Sequence, residues 1–236
     1  MHPSPARELS AGIRSQGGLL VGVTPFGLAY GAYAVESGIS AGLAQAMSAI
    51  VFGGASQVVA VELIASGTPA VLLALTVALV NLRHMLYSAD LAPDVEHLPR
   101  RWRWLLAYLL TDEAYVMTVR RYREPDASPH RHWFFLGSGL SLWTCWQVST
   151  AAGIFAGAAL PDAWALDFAL PLTFIAILVP ALSSQPSLIA ATVAGAVALI
   201  GYEWEYGTGL LVAAVLGITA GLAAERLVPA RKLEAP

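Results

Sequence analysis

The 236-residue chain is 57% hydrophobic and only 12% charged, with a mean hydropathy of +0.63. Soluble domains carry about 25% charged residues, and the charges here are also clustered, at residues 1–14, 83–131 and 225–236. Elsewhere only Glu36, Glu62, Asp162, Asp167, Glu203 and Glu205 remain, separated by uncharged runs long enough to cross a bilayer core of about 30 Å. This pattern excludes a soluble enzyme and gives an all-α, polytopic transmembrane helical bundle. A net charge of −3 offers no basis for binding nucleic acid. Cys145, the lone cysteine, excludes a disulfide framework and a Cys-based zinc site. The reading assigns no metal and no cofactor.

Eight apolar segments follow one another, at about 17–35, 42–66, 69–88, 103–119, 133–159, 166–184, 186–202 and 206–224. The polar stretch to Ile13 leads into the first without an A-x-A cleavage pattern, so that segment reads as a retained span. Pro25 interrupts it, and Pro171 and Pro180 interrupt the sixth. The stretches Ser66-Gly67-Thr68-Pro69 and Ser183-Ser184-Gln185-Pro186 read as tight turns. The fourth segment is the weakest span, being short and carrying Asp112 and Glu113, and a re-entrant or interfacial course would give seven spans.

Arg and Lys concentrate on the cytoplasmic side of membrane proteins. Arg120, Arg121, Arg123 and Arg131 place the loop 120–132 inside, and Arg226, Arg231 and Lys232 do the same for the C-terminus. Arg7 and Arg14 put the N-terminus inside as well. Arg100 and Arg101 run against this pattern if the loop 89–102 is external. The chain reads as one integral membrane transporter domain over 1–236.

A candidate internal repeat adds to this. Gly31 precedes Phe52 by the same 21 residues that separate Gly153 from Phe174. The halves would be about 15–119 and 133–224, with the basic loop between them. They run parallel if all four intervening segments cross, and inverted if the fourth does not.

Four blocks carry polar or helix-breaking residues inside apolar segments. Pro25, Phe26 and Gly27, between Gly22 and Gly31, can open a helix and free backbone groups for a zwitterion, or simply kink it for close packing. Gly54, Ser56 and Gln57 follow Phe52-Gly53, with Glu62 further on. The glycines suit helix packing, but a mid-segment amide needs a partner or a cavity. Asn81, Arg83 and His84 form the third block. Arg83 can snorkel to the headgroups, while Asn81 and His84 share a helix face, and His84 can relay protons or make a structural hydrogen bond. Asp112 and Glu113 form the fourth, and Arg83 or His84 is the natural partner for Asp112. An interfacial helix with its acids in water is the alternative. His130 and His132 read as solvated surface, Trp102, Trp104 and Trp133 as an aromatic belt, and Trp143 and Trp146 as deeper packing or cavity wall.

These blocks, in this order, resemble the AzlC family, the large subunits of bacterial branched-chain amino acid exporters. The matching pieces are Pro25-Phe26-Gly27, Gly54-Ala55-Ser56-Gln57, Asn81-Leu82-Arg83-His84 with Leu86-Tyr87, and Leu110-Thr111-Asp112-Glu113. A weaker block follows at Trp146, Ser149-Thr150 and Gly153, then Asp167-Phe168 and Phe174. The resemblance implies a secondary active exporter in the bacterial cytoplasmic membrane, working with a small hydrophobic AzlD-like subunit on branched-chain or other small apolar amino acids. A phosphate-binding G-x-x-x-x-G-K-[ST] loop is absent from the sequence, so a membrane potential or ion gradient would supply the energy.

The expected mechanism is alternating access. Pro25, Phe26, Gly27, Gly54, Ser56, Gln57 and Asn81 would hold the substrate, and Arg83, His84, Asp112 and Glu113 would form a charge switch. A scaffold or assembly subunit that moves no solute is the main rival. An intramembrane serine hydrolase built on Ser56 and His84 is a second.

Overall fold

A computed structural model describes residues 3–125, 128–156, 182, 184–205 and 208–227. Among these residues the regular structure is helical throughout. The helices are α1 (Pro5–Ser15), α2 (Gly17–Glu36), α3 (Ala41–Val51), α4 (Gly54–Ala65), α5 (Ala70–Val80) and α6 (Leu82–Val95). They continue as α7 (Arg100–Tyr108), α8 (Asp112–Tyr122), α9 (Arg131–Ala156), α10 (Gln185–Ile200) and α11 (Thr208–Leu227). The sixth apolar segment, with Asp167, Phe168, Pro171, Phe174 and Pro180, lies outside the described residues, as do Arg231 and Lys232.

Helix ends follow the local chemistry. Ser4, Ser40, Thr111 and Ser184 cap α1, α3, α8 and α10 by accepting a backbone N–H through the side-chain hydroxyl. At the other end of α4, Gly67 takes φ +69°, Thr68 N donates to Leu63 O at 2.9 Å and Gly67 N to Ile64 O at 3.0 Å. That pairing satisfies carbonyls the helix leaves open, and a side chain at Gly67 would oppose it.

The helices fall into two compact units. The first holds α1–α3, the start of α4, and α6–α9; the second holds the rest of α4, α5, α10 and α11. In the second unit α10 and α11 run antiparallel. A Cβ on Gly217 would lie 2.7 Å from Ala194 Cβ, and one on Gly209 would run into the Gly201 backbone, so small residues set how closely these helices approach.

In the first unit α1 and α2 lie along α9 and run in its direction. Gln16 Nε2 donates to Ser138 Oγ at 2.6 Å, across 122 residues of chain. The pairs Gly12 with Phe134, Gly27 with Ser149 and Gly31 with Gly153 repeat that spacing along the contact. A Cβ on Gly31 would strike Thr150 O, and a Cβ on Gly153 would strike Leu28 O, which is the same contact with the helices exchanged. Each helix thus seats one of its glycines on the backbone of the other.

The same end of this unit carries the N-terminal helix and the basic loop. Arg121 meets Glu8 there through two hydrogen bonds, at 3.1 and 2.5 Å, and reaches Glu124 at 3.0 Å. Glu8 is 1% exposed and Arg121 7%. Burial of both charges requires such pairing, because removing either would leave a charge stranded away from water.

The eight apolar segments do not become eight unbroken helices. Only α2 and α11 are single described helices long and apolar enough to cross a membrane, and α5 with α6 forms a third candidate bent by 41°. The segment 42–66 is divided at Phe52-Gly53, and the weak segment 103–119 at Leu109–Thr111.

One expected break is absent. Helix α2 continues through Pro25, so the backbone there does not open into half-helices. A proline bends or breaks a helix according to what its surroundings permit. Here the turn after it is held by burial of Phe26, Ala29 and Tyr30, and by the close seat of Gly27 and Gly31 on α9.

Candidate functional site

The break that Pro25 does not make is made by Phe52 and Gly53. Phe52 adopts the left-handed conformation (φ 41°, ψ 51°), the only described non-glycine residue with positive φ. Such a backbone costs about 1 kcal/mol or more and persists only where its surroundings hold it. The Phe52 ring is buried and lies 6.1 Å from that of Tyr108, whose hydroxyl donates to Ala49 O. Trp143 Nε1 in turn donates to the Tyr108 hydroxyl at 2.7 Å.

Helix α4 restarts at Gly54, and its first turn carries two polar side chains, Ser56 and Gln57, that are wholly buried. Ser56 Oγ donates to Gly53 O at 2.8 Å. Gln57 Oε1 accepts two bonds, from Gly53 N at 3.2 Å and from Trp146 Nε1 at 3.1 Å. Gln57 Nε2 has no hydrogen-bond partner among the described residues, although the side chain is 0% exposed. The Tyr30 hydroxyl lies beside this amide but donates to Ala44 O at 2.9 Å. Asn81 Oδ1, also unpartnered, stands 3.3 Å from where a Cβ on Gly53 would be.

An aromatic wall closes this cluster. Phe26 meets Trp146 edge-on at 5.3 Å, and Tyr30 stacks on Trp146 at 6.0 Å. A Cβ on Gly54 would come within 2.6 Å of Phe26 and 2.9 Å of Trp146, so glycine is what lets the rings reach the backbone. Phe26, Gly27, Gly54 and Gln57 are thus gathered around Trp146, with Ser56 and Asn81 beside Gly53 in the same unit. Pro25 contributes no opened backbone to it.

A second cluster is ionic and half-buried. Arg83 Nη1 lies 3.0 Å from Asp112 Oδ2, with side-chain exposures of 29% and 32%. The Tyr87 hydroxyl donates to Asp112 Oδ1 at 2.7 Å, its ring stacks on Tyr115 at 4.3 Å, and Tyr115 donates to Asp90 at 2.8 Å. Asp112 opens α8, where the helix N-terminus favours a carboxylate. His84 lies edge-on to Tyr87 at 5.9 Å, and the ion pair to Asp112 comes from Arg83. The Glu113 backbone carbonyl accepts from Gln16 Nε2 at 3.3 Å.

Residues 18–160 match the family model described as AzlC protein. The chain belongs to the AzlC family. It is 29% identical over 187 residues to the inner membrane protein YgaZ of Escherichia coli (strain K12), covering 76% of each chain. It is 30% identical over 205 residues to an uncharacterized membrane protein of Archaeoglobus fulgidus, covering 84% of this chain and 87% of the relative. No solved structure matches. Every block that carries the site, from Phe26 to Trp146, lies inside the span matched to the AzlC family.

In sequence Trp146 reads as packing or cavity wall; its role as the hydrogen-bond donor to Gln57 shows only in three dimensions. Sequence reasoning likewise misses Gln45, Ser48 and Gln147, and names Thr150 only within the weaker family block. Gln45 Nε2 donates to Gln147 Oε1 at 2.7 Å, Gln147 Nε2 to Ser48 O at 3.1 Å, and the Ser48 and Thr150 hydroxyls lie 3.1 Å apart. The signal that could find them is a pair of glutamines, 45 and 147, inside apolar runs.

Proposed function

We propose that this AzlC-family protein is the large subunit of a secondary exporter that moves branched-chain or other small apolar amino acids out of the bacterial cell. It works by alternating access in the cytoplasmic membrane, together with a small hydrophobic AzlD-like subunit. The observation that carries the reading is the buried polar break at Gly53–Gln57, walled by Phe26, Tyr30 and Trp146, in a chain of this family. Backbone groups at the break, Ser56, Gln57 and Asn81 hold the amino and carboxylate groups. The apolar wall accepts the side chain, and α2 supplies packing, not an opened backbone.

The Arg83–Asp112 pair, with Tyr87 on the same carboxylate, is the charge switch, and His84 and Glu113 tune it. Partial exposure suits a pair that must exchange partners, since a fully buried pair would resist separation. The end bearing Arg7, Arg14 and the basic loop faces the cytoplasm, as the distribution of arginine favours.

The test is efflux of preloaded labelled leucine, isoleucine, valine and methionine from cells expressing the chain with and without its small subunit. Efflux that needs both subunits and collapses with an uncoupler supports the reading. Absence of efflux for all four, with both subunits in the membrane, overturns it. The charge switch has its own test: exchanging the two residues (Arg83→Asp with Asp112→Arg) should recover transport lost in either single variant.

The scaffold reading is separated by the same variants, which would then change complex formation and leave flux untouched. The hydrolase reading has little support, because the Ser56 hydroxyl is wholly buried and donates to Gly53 O. Labelling of Ser56 by a fluorophosphonate would revive it.

A further inference from the structure

The Gln57 amide is the one group in the buried cluster whose orientation is dictated from two sides. Its Oε1 faces two obligate donors, the Gly53 backbone N–H and the Trp146 indole N–H, neither of which can accept a bond. Turning the amide over would set its NH2 against both of them. Hydrogen-bond networks of this kind fix which end of an amide is which. The consequence is that Nε2, with two N–H bonds to give, is presented away from Gly53 and Trp146 and makes no bond within the described residues. The side chain is completely buried, so bulk water does not satisfy it. The Tyr30 hydroxyl beside it donates to Ala44 O, so its oxygen can accept at most one of the two N–H groups and the other is left to give.

The other polar groups nearby have a different character. Ser56 has its proton engaged with Gly53 O, and Asn81 presents an unpartnered oxygen. Of these side chains, Gln57 is the one whose donor is held in a fixed direction by two neighbours. A donor of this kind selects an anionic or carbonyl oxygen and does nothing for an ammonium group.

We infer that Trp146 is a positioning residue that locks the Gln57 amide so that Nε2 donates to the carboxylate of the transported amino acid. The inference rests on the proposed transport reading and deepens it. It assigns the carboxylate, and not the amino group, to Gln57, and it gives the indole nitrogen a role that aromatic packing alone would not need. Trp146→Phe keeps an aromatic ring for Phe26 and Tyr30 to pack on, removes the second donor and gives up the volume of one ring. Gln57→Glu keeps an acceptor for both donors and replaces the outward-facing donor with an oxygen.

The experiment measures binding of labelled L-leucine to the full-length chain with its small membrane subunit in nanodiscs, competed by L-leucine or by L-leucinamide. Leucinamide differs only in the carboxylate. The wild type should prefer leucine at least about tenfold, the order expected when a buried donor loses a charged partner. Trp146→Phe should cut that preference at least threefold, and Gln57→Glu should reverse it toward leucinamide. A purely structural tryptophan would lower the amount of folded protein and leave the ratio where it was.

Equal binding of leucine and leucinamide by the wild type overturns the inference while the transport reading stands. An unchanged ratio in both variants does the same. If Trp146→Phe does not reach the membrane, Gln57→Glu decides alone. Folded wild type that binds none of leucine, isoleucine, valine and methionine overturns the inference and the transport reading together.

Discussion

The two polar clusters of the first unit solve the same problem in opposite ways. Around Gln57 the groups are neutral and mostly buried, and the Gln57 and Ser56 oxygens are each engaged by a neighbour while Gln57 Nε2 and Asn81 Oδ1 are not. Around Asp112 the groups are charged and half-buried, and the carboxylate already has two partners in Arg83 and Tyr87. A neutral, rigid cluster with unspent hydrogen-bonding capacity suits recognition of a small molecule. An ion pair open to water suits a change of partners, because separating it there costs little. On the proposed reading, recognition and coupling occupy different chemistry within one unit.

That division can be broken or sharpened by substitution. The largest effect is expected for Asp112→Asn, which should reduce gradient-driven leucine efflux to the level of cells lacking the protein, with normal amounts in the membrane. Quantitative immunoblotting of membranes alongside the efflux assay checks both halves of that statement. Gly153→Ala tests the frame instead of either cluster. Its methyl group would run into Leu28 O across the α2–α9 contact, and overpacking of this kind costs about 1–3 kcal/mol. Thermal unfolding in detergent should show a lower midpoint than wild type, and an unchanged midpoint would mean the contact has room for a methyl group.

Gln57→Leu should weaken leucine binding about tenfold, as expected for one lost hydrogen bond to a charged group. Equilibrium binding measures it, and the Arg83–Asp112 pair should be untouched. The smallest effect belongs to Tyr87→Phe. It removes one of two partners from a half-buried carboxylate, worth about 0.5–1.5 kcal/mol, so efflux should fall by about two- to tenfold. Efflux as low as in Asp112→Asn would show that Tyr87 is part of the switch itself.

Much of this architecture is legible in the order of the residues. The helical membrane class follows from where charges are missing, and Asn81-Leu82-Arg83-His84 with Leu110-Thr111-Asp112-Glu113 points to the family. What sequence misplaces is the break. Proline has the stronger intrinsic case for opening a helix, yet α2 holds together at Pro25 because its next turn is buried on α9, and the chain opens at a phenylalanine instead. Propensity sees the residue; it does not see the neighbour that overrides it.

Long-range pairing is the other blind spot. In sequence Glu8 falls in the polar N-terminal stretch and Arg121 in the basic loop. Burial brings them together over 113 residues. The same holds for Trp146 and Gln57, 89 residues apart, since an indole in an apolar run reads as packing until its N–H is seen to have one partner. Helix counting suffers for a related reason: an apolar run such as 42–66 satisfies the length of a span while Phe52 and Gly53 within it end one helix and begin another.

The separation of recognition from coupling is tested most directly by comparing leucine exchange with gradient-driven leucine transport in the same vesicles for Asp112→Asn and Gln57→Leu. Asp112→Asn should exchange labelled for unlabelled leucine at a rate near wild type and accumulate none against a gradient, whereas Gln57→Leu should be impaired in both. Gradient-driven accumulation at the wild-type rate in Asp112→Asn, or normal exchange in Gln57→Leu, would contradict that separation.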